Sequence, residues 1–458
     1  MPVASWVIIY LLVTIAIGLV ATRLVHNAND FLSAGRKVPF MLSSFALFAF
    51  WFGSETVFGA SSEFVQHGFL GVIEDPFGAF LCLILFALIF VRPLYRQNIL
   101  TLADLFRRTY GPRIETIASV CMLLTFLGYI AAQIIALSIL FDILFGWDPL
   151  TGKLIGAAIV TLYTTAGGMW AVSITDFIQS IVIMVGLVLL AIFFTGLVDS
   201  PLQAPKPHFF DFTPTQSNGH SWVEYIAAWL TVGLGSLASQ DIFQRANAAK
   251  TEKIAVRSTY AGAGLYLIFA MLPLYLGLLS LKIDPSLSAG DSQYALIGLV
   301  SGYAPMWLQV LFMGALVSAI FSTSSGALLA PSSILSENLV KPLFFPNASD
   351  KQFLRISRIC VVVVGMLAAW LSIMSESIYE LVAQSSVLGT VSILVPMFCA
   401  LFMRPSQLGA LLSMILGLIA HVLVEYQFVA IDFPSMFVGF GFSILGMVMG
   451  NMFSKRGA

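Results

Sequence analysis

Charged side chains are scarce in this sequence. Asp, Glu, Lys and Arg make up 10% of the 458 residues, whereas hydrophobic residues make up 59%. In soluble chains, roughly a quarter of the residues are charged. A soluble globular fold is therefore excluded, and the composition predicts an all-α protein that crosses a lipid bilayer many times.

Cysteine is scarce as well, and its placement argues against a fold held together by disulfides or by a cysteine-bound metal. The four cysteines, at positions 82, 121, 360 and 399, lie in apolar segments without the short spacing of a metal or disulfide framework. No basic residue precedes the first apolar run, 6–21, so this run is predicted to be a retained helix rather than a cleaved signal peptide. No stretch suits a soluble domain, and nucleic acid is not an expected partner.

Thirteen apolar stretches reach the length that a bilayer requires, about 17–25 residues. Their centres lie near residues 14, 52, 85, 130, 162, 186, 230, 268, 315, 366, 391, 415 and 443. We expect one transporter domain over residues 1–458, with an N-terminal helix and loop (1–38) and a first repeat (39–198). A second repeat with its connecting loop (199–424) and a last helix with the tail (425–458) follow.

The basic residues predict the orientation of these spans. With the N-terminus outside and the C-terminus cytoplasmic, 19 of the 22 lysines and arginines fall on the cytoplasmic side, as the positive-inside rule requires. They are Arg23, Arg36, Lys37, Arg92, Arg96, Arg107, Arg108, Arg113, Arg245, Lys250, Lys253, Arg257, Lys341, Lys351, Arg355, Arg358, Arg404, Lys455 and Arg456. We therefore expect a multi-pass protein of the plasma membrane, typically the bacterial inner membrane, as a monomer or weak oligomer.

The second span contains the stretch 51–59, WFGSETVFG, which places the carboxyl group of Glu55 inside an apolar segment. An ionisable group at that depth is costly and usually functional. Glycines on both sides would let the helix open, which is tolerated where the backbone lines a cavity. The structural alternative is a glycine-kinked helix whose glutamate hydrogen-bonds a neighbour. No basic residue lies in the middle of a predicted span, so a fixed basic partner for Glu55 is not expected.

Spans two to six and seven to eleven can form two halves of five helices each. Because five is odd, the second half enters the membrane with the opposite orientation, as an inverted repeat requires. The first helix of each half should be interrupted, at Gly53 and Gly59 in one half and at Gly233 and Gly235 in the other. One extra N-terminal helix and two C-terminal helices complete this prediction.

The ninth span contains four consecutive hydroxyl residues within the stretch 319–326, AIFSTSSG. Ser322 and Thr323 can point oxygens toward the carbonyls of Gly53 and Thr56 that an opened second span would free. Uncharged oxygens suit a small hard cation such as sodium. A hydroxyl-lined contact between two helices is the other interpretation.

Residues 166–179, AGGMWAVSITDFIQ, resemble the signature of the sodium/solute symporter family. The stretches DFLSAGR (30–36), AAQ (131–133) and QDIFQR (240–245) are similar to the family as well, and so is the hydroxyl run of the ninth span. The similar stretches extend in family order from about residue 30 to 410. The resemblance implies a LeuT-like fold of two inverted five-helix repeats that transports by alternating access.

By motif position, the resemblance also implies a sodium site. Its ligands would be the carbonyl oxygens of Gly53, Thr56 and Ala319 and the hydroxyls of Ser322 and Thr323. Some members hold a further sodium with the signature aspartate and two more hydroxyls of the ninth span. Asp176 and Ser325 match this second set, but Gly326 stands where the last hydroxyl would be.

The resemblance places a solute-contacting acid or amide at Glu55, which suits a cationic or amino-bearing solute or a proton-sensitive step. Gln133 and Gln384 would face the same cavity, although either could instead form a hydrogen bond between helices. Trp229 in the seventh span is a further predicted solute contact. The positions at which choline-transporting members have tryptophans hold other residues here, so choline is not the expected solute: Gly71, Ile130 and Ser239.

We therefore predict sodium-coupled import of a small organic solute. The alternative is a transporter-like membrane sensor with a separate signalling partner, because no kinase domain follows the helices before Ala458. An intramembrane enzyme is not expected, because Glu55 is the only acid predicted at mid-depth and no paired catalytic motif is present. The pair Glu74 and Asp75 is expected to cap the third span at its outer end or to gather cations there.

Overall fold

The computed structural model describes residues 3–215, 218–219, 221–288, 292–375, 377–403, 405–429, 431 and 433–456. Arg404 and the side chains of Lys455 and Arg456, used above for the topology, lie outside this description. Over the described residues the protein is helical, apart from one isolated parallel bridge between Val38 and Ala249. The predicted all-α class is confirmed.

Twenty α-helices occur among the described residues, and short 3₁₀ and π segments join several of them. The helices are α1 (Val3–Ala21), α2 (Ala28–Ser33), α3 (Phe40–Trp51), α4 (Ala60–His67), α5 (Ala79–Leu85), α6 (Val91–Gln97), α7 (Leu102–Tyr110), α8 (Pro112–Phe145), α9 (Pro149–Thr195), α10 (Trp222–Gly235), α11 (Gln240–Ala248), α12 (Glu252–Ile283), α13 (Ala295–Tyr303), α14 (Met306–Ile334), α15 (Lys341–Phe344), α16 (Asp350–Met374), α17 (Ile378–Gly389), α18 (Val395–Phe402), α19 (Gln407–Glu425) and α20 (Ser435–Arg456).

Ten helical segments of the described chain are long and apolar enough to cross a membrane, or eleven if the bent pair Trp222–Ala238 and Gln240–Ala248 counts as one span. The two longest segments far exceed a single crossing: Glu55–Gln97 has 43 residues and Pro149–Thr195 has 47. A straight helix of 47 residues would be about 70 Å long, against a hydrocarbon core of roughly 30 Å. The number of crossings depends on how these segments divide, so thirteen stays a prediction.

The second predicted span is interrupted, as expected, but the break is shorter than predicted. α3 ends at Trp51, and Phe52 leaves the helical conformation with φ −92° and ψ 71°. A helical path resumes through the wide π turn Glu55–Gly59 and α4. Gly53 therefore lies in the break, whereas Gly59 has helical angles (φ −64°, ψ −63°) and does not mark it.

The seventh predicted span is also interrupted, but not at the predicted glycines. α10 and the 3₁₀ turn after it end at the extended residue Ser239 (φ −87°, ψ 134°), and α11 continues at an angle of 55°. Gly233 and Gly235 lie within α10. A Cβ on Gly235 would lie 2.4 Å from the carbonyl oxygen of Ser386 in α17. That glycine is needed because two helix backbones touch, and not because the helix opens there.

The two interrupted helices are joined at one end. The Val38 amide donates to the Ala248 carbonyl oxygen (3.0 Å), and the Lys250 amide donates to the Val38 carbonyl oxygen (2.9 Å). Val38 precedes α3, and Ala248 is the last residue of α11. This pair of bonds thus connects the start of the first broken element to the end of the second.

The Gly-Gly dipeptide of the signature lies at a sharp break within α9. Gly168 has φ 56° and ψ −161°, and a Cβ there would lie 2.4 Å from Cδ2 and 2.6 Å from the carbonyl oxygen of Phe31. Only glycine tolerates both the positive φ and this contact. α9 therefore turns against α2, and two of the stretches that resemble the family meet.

α14 forms the centre of the protein. Every residue from Phe312 to Ile334 is buried, and the helix packs against α3, α8, α9 and α16. Its hydroxyl run therefore lies between the break in α3 and the signature segment of α9.

Candidate solute and ion site

The broken end of α3 leaves carbonyl oxygens without helical donors, and side-chain hydroxyls replace those donors. The Thr323 hydroxyl of α14 donates to the carbonyl oxygens of Ala49 (3.2 Å) and Phe50 (2.9 Å). The Thr56 hydroxyl lies 3.3 Å from the carbonyl oxygen of Trp51. The opened backbone is thus held in place by α14 and by its own continuation.

The five residues of the predicted sodium site are all buried: Gly53, Thr56, Ala319, Ser322 and Thr323. Gly53 packs against Thr323, because a Cβ on Gly53 would lie 2.9 Å from the Thr323 methyl carbon. The Ser322 hydroxyl donates to Oδ1 of Asp176 at 2.6 Å. A hydroxyl that donates one bond keeps lone pairs for a cation, so the donor set has the chemistry of a site built from uncharged oxygens.

Asp176, predicted to hold a second sodium with Ser325, has other partners. Besides the Ser322 hydroxyl at Oδ1, its Oδ2 lies 3.4 Å from Nη2 of Arg245. The Ser325 hydroxyl donates to the carbonyl oxygen of Ser322 (3.0 Å). Asp176 is therefore already engaged by Ser322 and Arg245, whereas the Ser325 hydroxyl, which donates one bond, keeps its lone pairs.

Arg245 was predicted to lie in a cytoplasmic loop, and that prediction is wrong. Its side chain is 2% exposed, and α11, which carries it, is buried over its whole length. The polar sequence of α11 lowers its hydropathy, yet this short helix folds inward as the second half of the bent pair. The structure thus buries one basic side chain, whereas Glu55, for which no fixed basic partner was expected, contacts neutral donors.

Glu55 is held by two neutral donors from α8. Tyr129 donates its hydroxyl to Oε1 (2.9 Å), and Gln133 donates its amide to Oε2 (2.8 Å). The Gln133 oxygen in turn accepts from the Ser54 amide (3.2 Å) at the restart of the broken helix. Gln133 is fully buried and orients Glu55, and it is not among the residues that line the cavity described next.

A cavity lies beside the break and is lined by Glu55 and by three further acids that the sequence did not place there: Glu74, Asp75 and Asp241. Asp75 was expected at the outer end of the third span. Instead, the chain after α4 turns back, and Asp75 accepts hydrogen bonds from the hydroxyls of Tyr266 and Thr56 (3.1 Å to Thr56). An acidic pair followed by proline within an apolar segment was the signal that could have identified it.

Asp241 lies just after the extended residue Ser239, whose hydroxyl donates to its Oδ1. Its Oδ2 is buried without a hydrogen-bond partner, and so is Nε1 of Trp51. Both residues line the cavity. Buried polar atoms normally have partners. These two unsatisfied atoms therefore indicate a polar ligand, together with Oε2 of Glu74 and the Tyr379 hydroxyl, which belong to lining residues and also lack partners.

Like Gln133, two further predicted solute contacts do not line this cavity. Trp229 packs in an aromatic group, with its ring centroid 6.2 Å from Phe77 and 6.2 Å from Phe212. Gln384 donates its amide to Glu380 (3.1 Å) one turn earlier on α17. Both residues lie on helices that contribute to the cavity lining, α10 and α17, but their side chains lie on other faces of those helices.

Comparison with known proteins identifies a family and its relatives. The model of the Sodium:solute symporter family matches residues 31–417. The high affinity choline transporter 1 of Homo sapiens is 25% identical over 440 residues, which cover 91% of this chain and 75% of that protein. The sodium/proline symporter of Escherichia coli (strain K12) is 28% identical over 481 residues, covering 98% of this chain and 92% of that protein.

Solved structures show the same fold. The substrate-bound, outward-open structure of a Na⁺-coupled sialic acid symporter superposes with a TM-score of 0.86 at 19% identity, covering 100% of this chain and 98% of that one. Mhp1, a nucleobase-cation-symport-1 family transporter in a closed conformation, reaches 0.59 at 13% identity, covering 93% and 94% of the two chains. The predicted LeuT-like fold class is confirmed by these likenesses.

Proposed function

This chain belongs to the sodium:solute symporter family, and we propose that it imports a small organic solute with a cationic N–H group together with sodium, by alternating access. The family and the relatives are transporters, which bears out the prediction of a transporter rather than an enzyme. Sodium and the solute are both cargo in this proposal.

The observation that carries the proposed solute class is the charge of the cavity. Four carboxyl groups line it, and none of the described lining residues is basic. A desolvated carboxylate needs a cation, hydrogen bonds or a proton. Tyr129 and Gln133 supply hydrogen bonds to Glu55, but among the described lining residues there is no basic side chain. A cationic solute would provide a positive charge.

The unsatisfied atoms narrow the class to amines. Oδ2 of Asp241 lacks a donor, which a primary or secondary ammonium can supply and a quaternary ammonium cannot. Nε1 of Trp51 can donate to a hydroxyl or carbonyl oxygen on the same solute. The cavity also has aromatic side chains whose faces attract cations: Phe50, Trp51, Phe126, Tyr129 and Tyr379. Proline, the solute in the name of one relative, carries a charged nitrogen with N–H bonds, whereas choline, named in another, is a quaternary ammonium without them.

Ion and solute would be coupled through the break in the second predicted span. The proposed sodium ligands Gly53 and Thr56 flank Glu55 in the sequence, and Thr323 holds the end of α3. Sodium bound between this segment and α14 would fix the conformation in which Glu55 faces the cavity. Solute binding then becomes tighter in the presence of sodium, which is the thermodynamic basis of coupling.

The finer architecture belongs to the same proposal. We place thirteen crossings, with residues 39–198 and 199–424 as the inverted repeats and the N-terminus outside. The interruptions at Phe52 and Ser239 support the repeat, because they fall in the first helix of each half. The setting would be the plasma membrane of a bacterium, with the protein a monomer or a weak oligomer.

The solute class is tested by an Asp241→Asn substitution. The purified protein in lipid nanodiscs should be stabilised against heat by small amines more than by neutral alcohols or carboxylic acids of the same size. Asp241→Asn keeps the side-chain shape and removes the charge, so affinity for the best amine should fall about tenfold or more. Gln384→Ala, outside the cavity, serves as the matched control and should leave that affinity unchanged. Stronger stabilisation by a neutral or acidic solute than by every amine would refute the proposed class.

The orientation is tested by cysteine labelling in intact cells. Gln203 and Asn347 are both exposed and lie in loops on opposite sides of the proposed topology. Gln203→Cys should react with an impermeant thiol reagent, whereas Asn347→Cys should react only after the cells are opened. The unsubstituted protein, with its mostly buried native cysteines, is the background control. The opposite labelling pattern would invert the topology.

A further inference from the structure

Arg245 is a buried cation in contact with three other helices. Its Nη2 lies 3.4 Å from Oδ2 of Asp176 on α9, and its Nε donates to the carbonyl oxygen of Ala46 on α3 (3.1 Å). The guanidinium carbon lies 4.2 Å from the centre of the Phe50 ring. On α14, the guanidinium faces Gly326. Asp176 is fully buried, and the guanidinium of Arg245 places a positive charge of the protein itself beside this carboxylate.

The glycine at position 326 makes room for that charge. A Cβ on Gly326 would lie 2.2 Å from Nη2 and 2.7 Å from Nη1 of Arg245. Contacts that close do not occur, so a serine or threonine at this position would require the Arg245 guanidinium to shift from its present position. Position 326 is where the second ion set would require its last hydroxyl, and Ser325 directs its hydroxyl to the carbonyl oxygen of Ser322.

We propose that the guanidinium of Arg245 takes the place of a second sodium ion beside Asp176, so that one sodium ion is bound per transport cycle. This inference rests on the sodium coupling proposed above. A sodium ion added at Asp176 would meet a fixed positive charge on the same carboxylate and would find one hydroxyl ligand fewer. The residues present therefore do not fit a second ion.

The guanidinium of Arg245 differs from a bound sodium ion because it is covalently part of the chain and cannot dissociate from Asp176 into solution. Asp176 stays neutralised whether or not sodium is bound, and only the site formed by Gly53, Thr56, Ala319, Ser322 and Thr323 loads and unloads. Ser322 belongs to that set, and its hydroxyl also donates to Asp176, so the guanidinium also fixes the carboxylate against which Ser322 is oriented.

Equilibrium binding of radioactive sodium to the purified protein in nanodiscs tests the number of ions. We expect one ion per wild-type protein and a sodium-induced rise in melting temperature that follows a single-site curve. The double variant Arg245→Ala with Gly326→Ser removes the guanidinium and restores the hydroxyl, and it should bind a second ion. Arg245→Lys with Gly326→Ser keeps a positive charge and should stay at one ion.

Two ions bound by the wild type would overturn the proposal, and so would a folded Arg245→Ala, Gly326→Ser variant that binds only one. If that variant does not fold, the wild-type count decides alone. A wild type that binds no sodium would contradict the sodium coupling itself. Failure of the proposed function is therefore distinguishable from failure of the proposal that Arg245 replaces a second sodium ion.

Discussion

Replacing Ser322 and Thr323 together by alanine should abolish the stabilisation of the protein by sodium. The two hydroxyls are two of the five proposed ligands, and both are buried at the contact between α14, α3 and α9. By analogy with hydrogen bonds to charged groups, their loss should cost about 1–3 kcal/mol of binding free energy, or about 5- to 150-fold in sodium affinity. Calorimetry of the purified variant with and without sodium measures this loss directly.

Ser324 offers a matched control for that experiment. It lies in the same hydroxyl run and is equally buried, but its hydroxyl donates to the carbonyl oxygen of Ile320 on its own helix. Ser324→Ala should therefore change the melting temperature without changing the increment that sodium adds. An unchanged sodium response in the double variant would place the ion site elsewhere in the protein.

Glu55→Gln should remove most of the affinity for the amine solute and leave the sodium response in place. The substitution keeps the shape of the side chain, and the Tyr129 hydroxyl, now a donor to Glu55, can rotate to accept from the new amide. The lost charge–charge attraction should weaken amine binding at least about tenfold. Solute affinity by calorimetry and sodium-induced stabilisation are measured on the same preparation.

Two other outcomes would each assign Glu55 a different role. A parallel fall of the sodium response would show that Glu55 serves the ion, directly or by shaping Gly53 and Thr56. Wild-type values for both quantities would make Glu55 a structural hydrogen-bonder of Tyr129 and Gln133, and the solute proposal would then lose its central residue. Asp241→Asn separates these cases further, because Asp241 belongs to the other broken element.

The fold and the outline of the site could be predicted because they depend on local sequence. Apolar stretches of bilayer length predict membrane helices wherever they occur, and the glycine beside Glu55 indicated the break at Gly53. The hydroxyl run on α14 was expected to face that break, and Thr323 does contact it. Each of these features shows in a short window of sequence.

The rest could not be predicted because it depends on contacts between distant segments. Arg245 has polar neighbours in the sequence, so hydropathy places it outside the membrane, and only the folded chain brings it to Asp176, 69 residues away. Asp75 precedes a proline, which suggests a helix start, but the turn after α4 carries it to Thr56 and Tyr266. Gly235 resembles a hinge in the sequence, whereas its role is contact with α17.

The hydrogen-bonded pair at Val38 also constrains how the protein can change shape. Two bonds of 3.0 and 2.9 Å connect Val38, two residues before α3, to the backbone at the end of α11. A rotation that tilts one half-helix at this end must carry the other with it, or else break both bonds. The two broken helices are thus coupled at the ends formed by α3 and α11. Their other halves, α4 and α10, can move independently of each other.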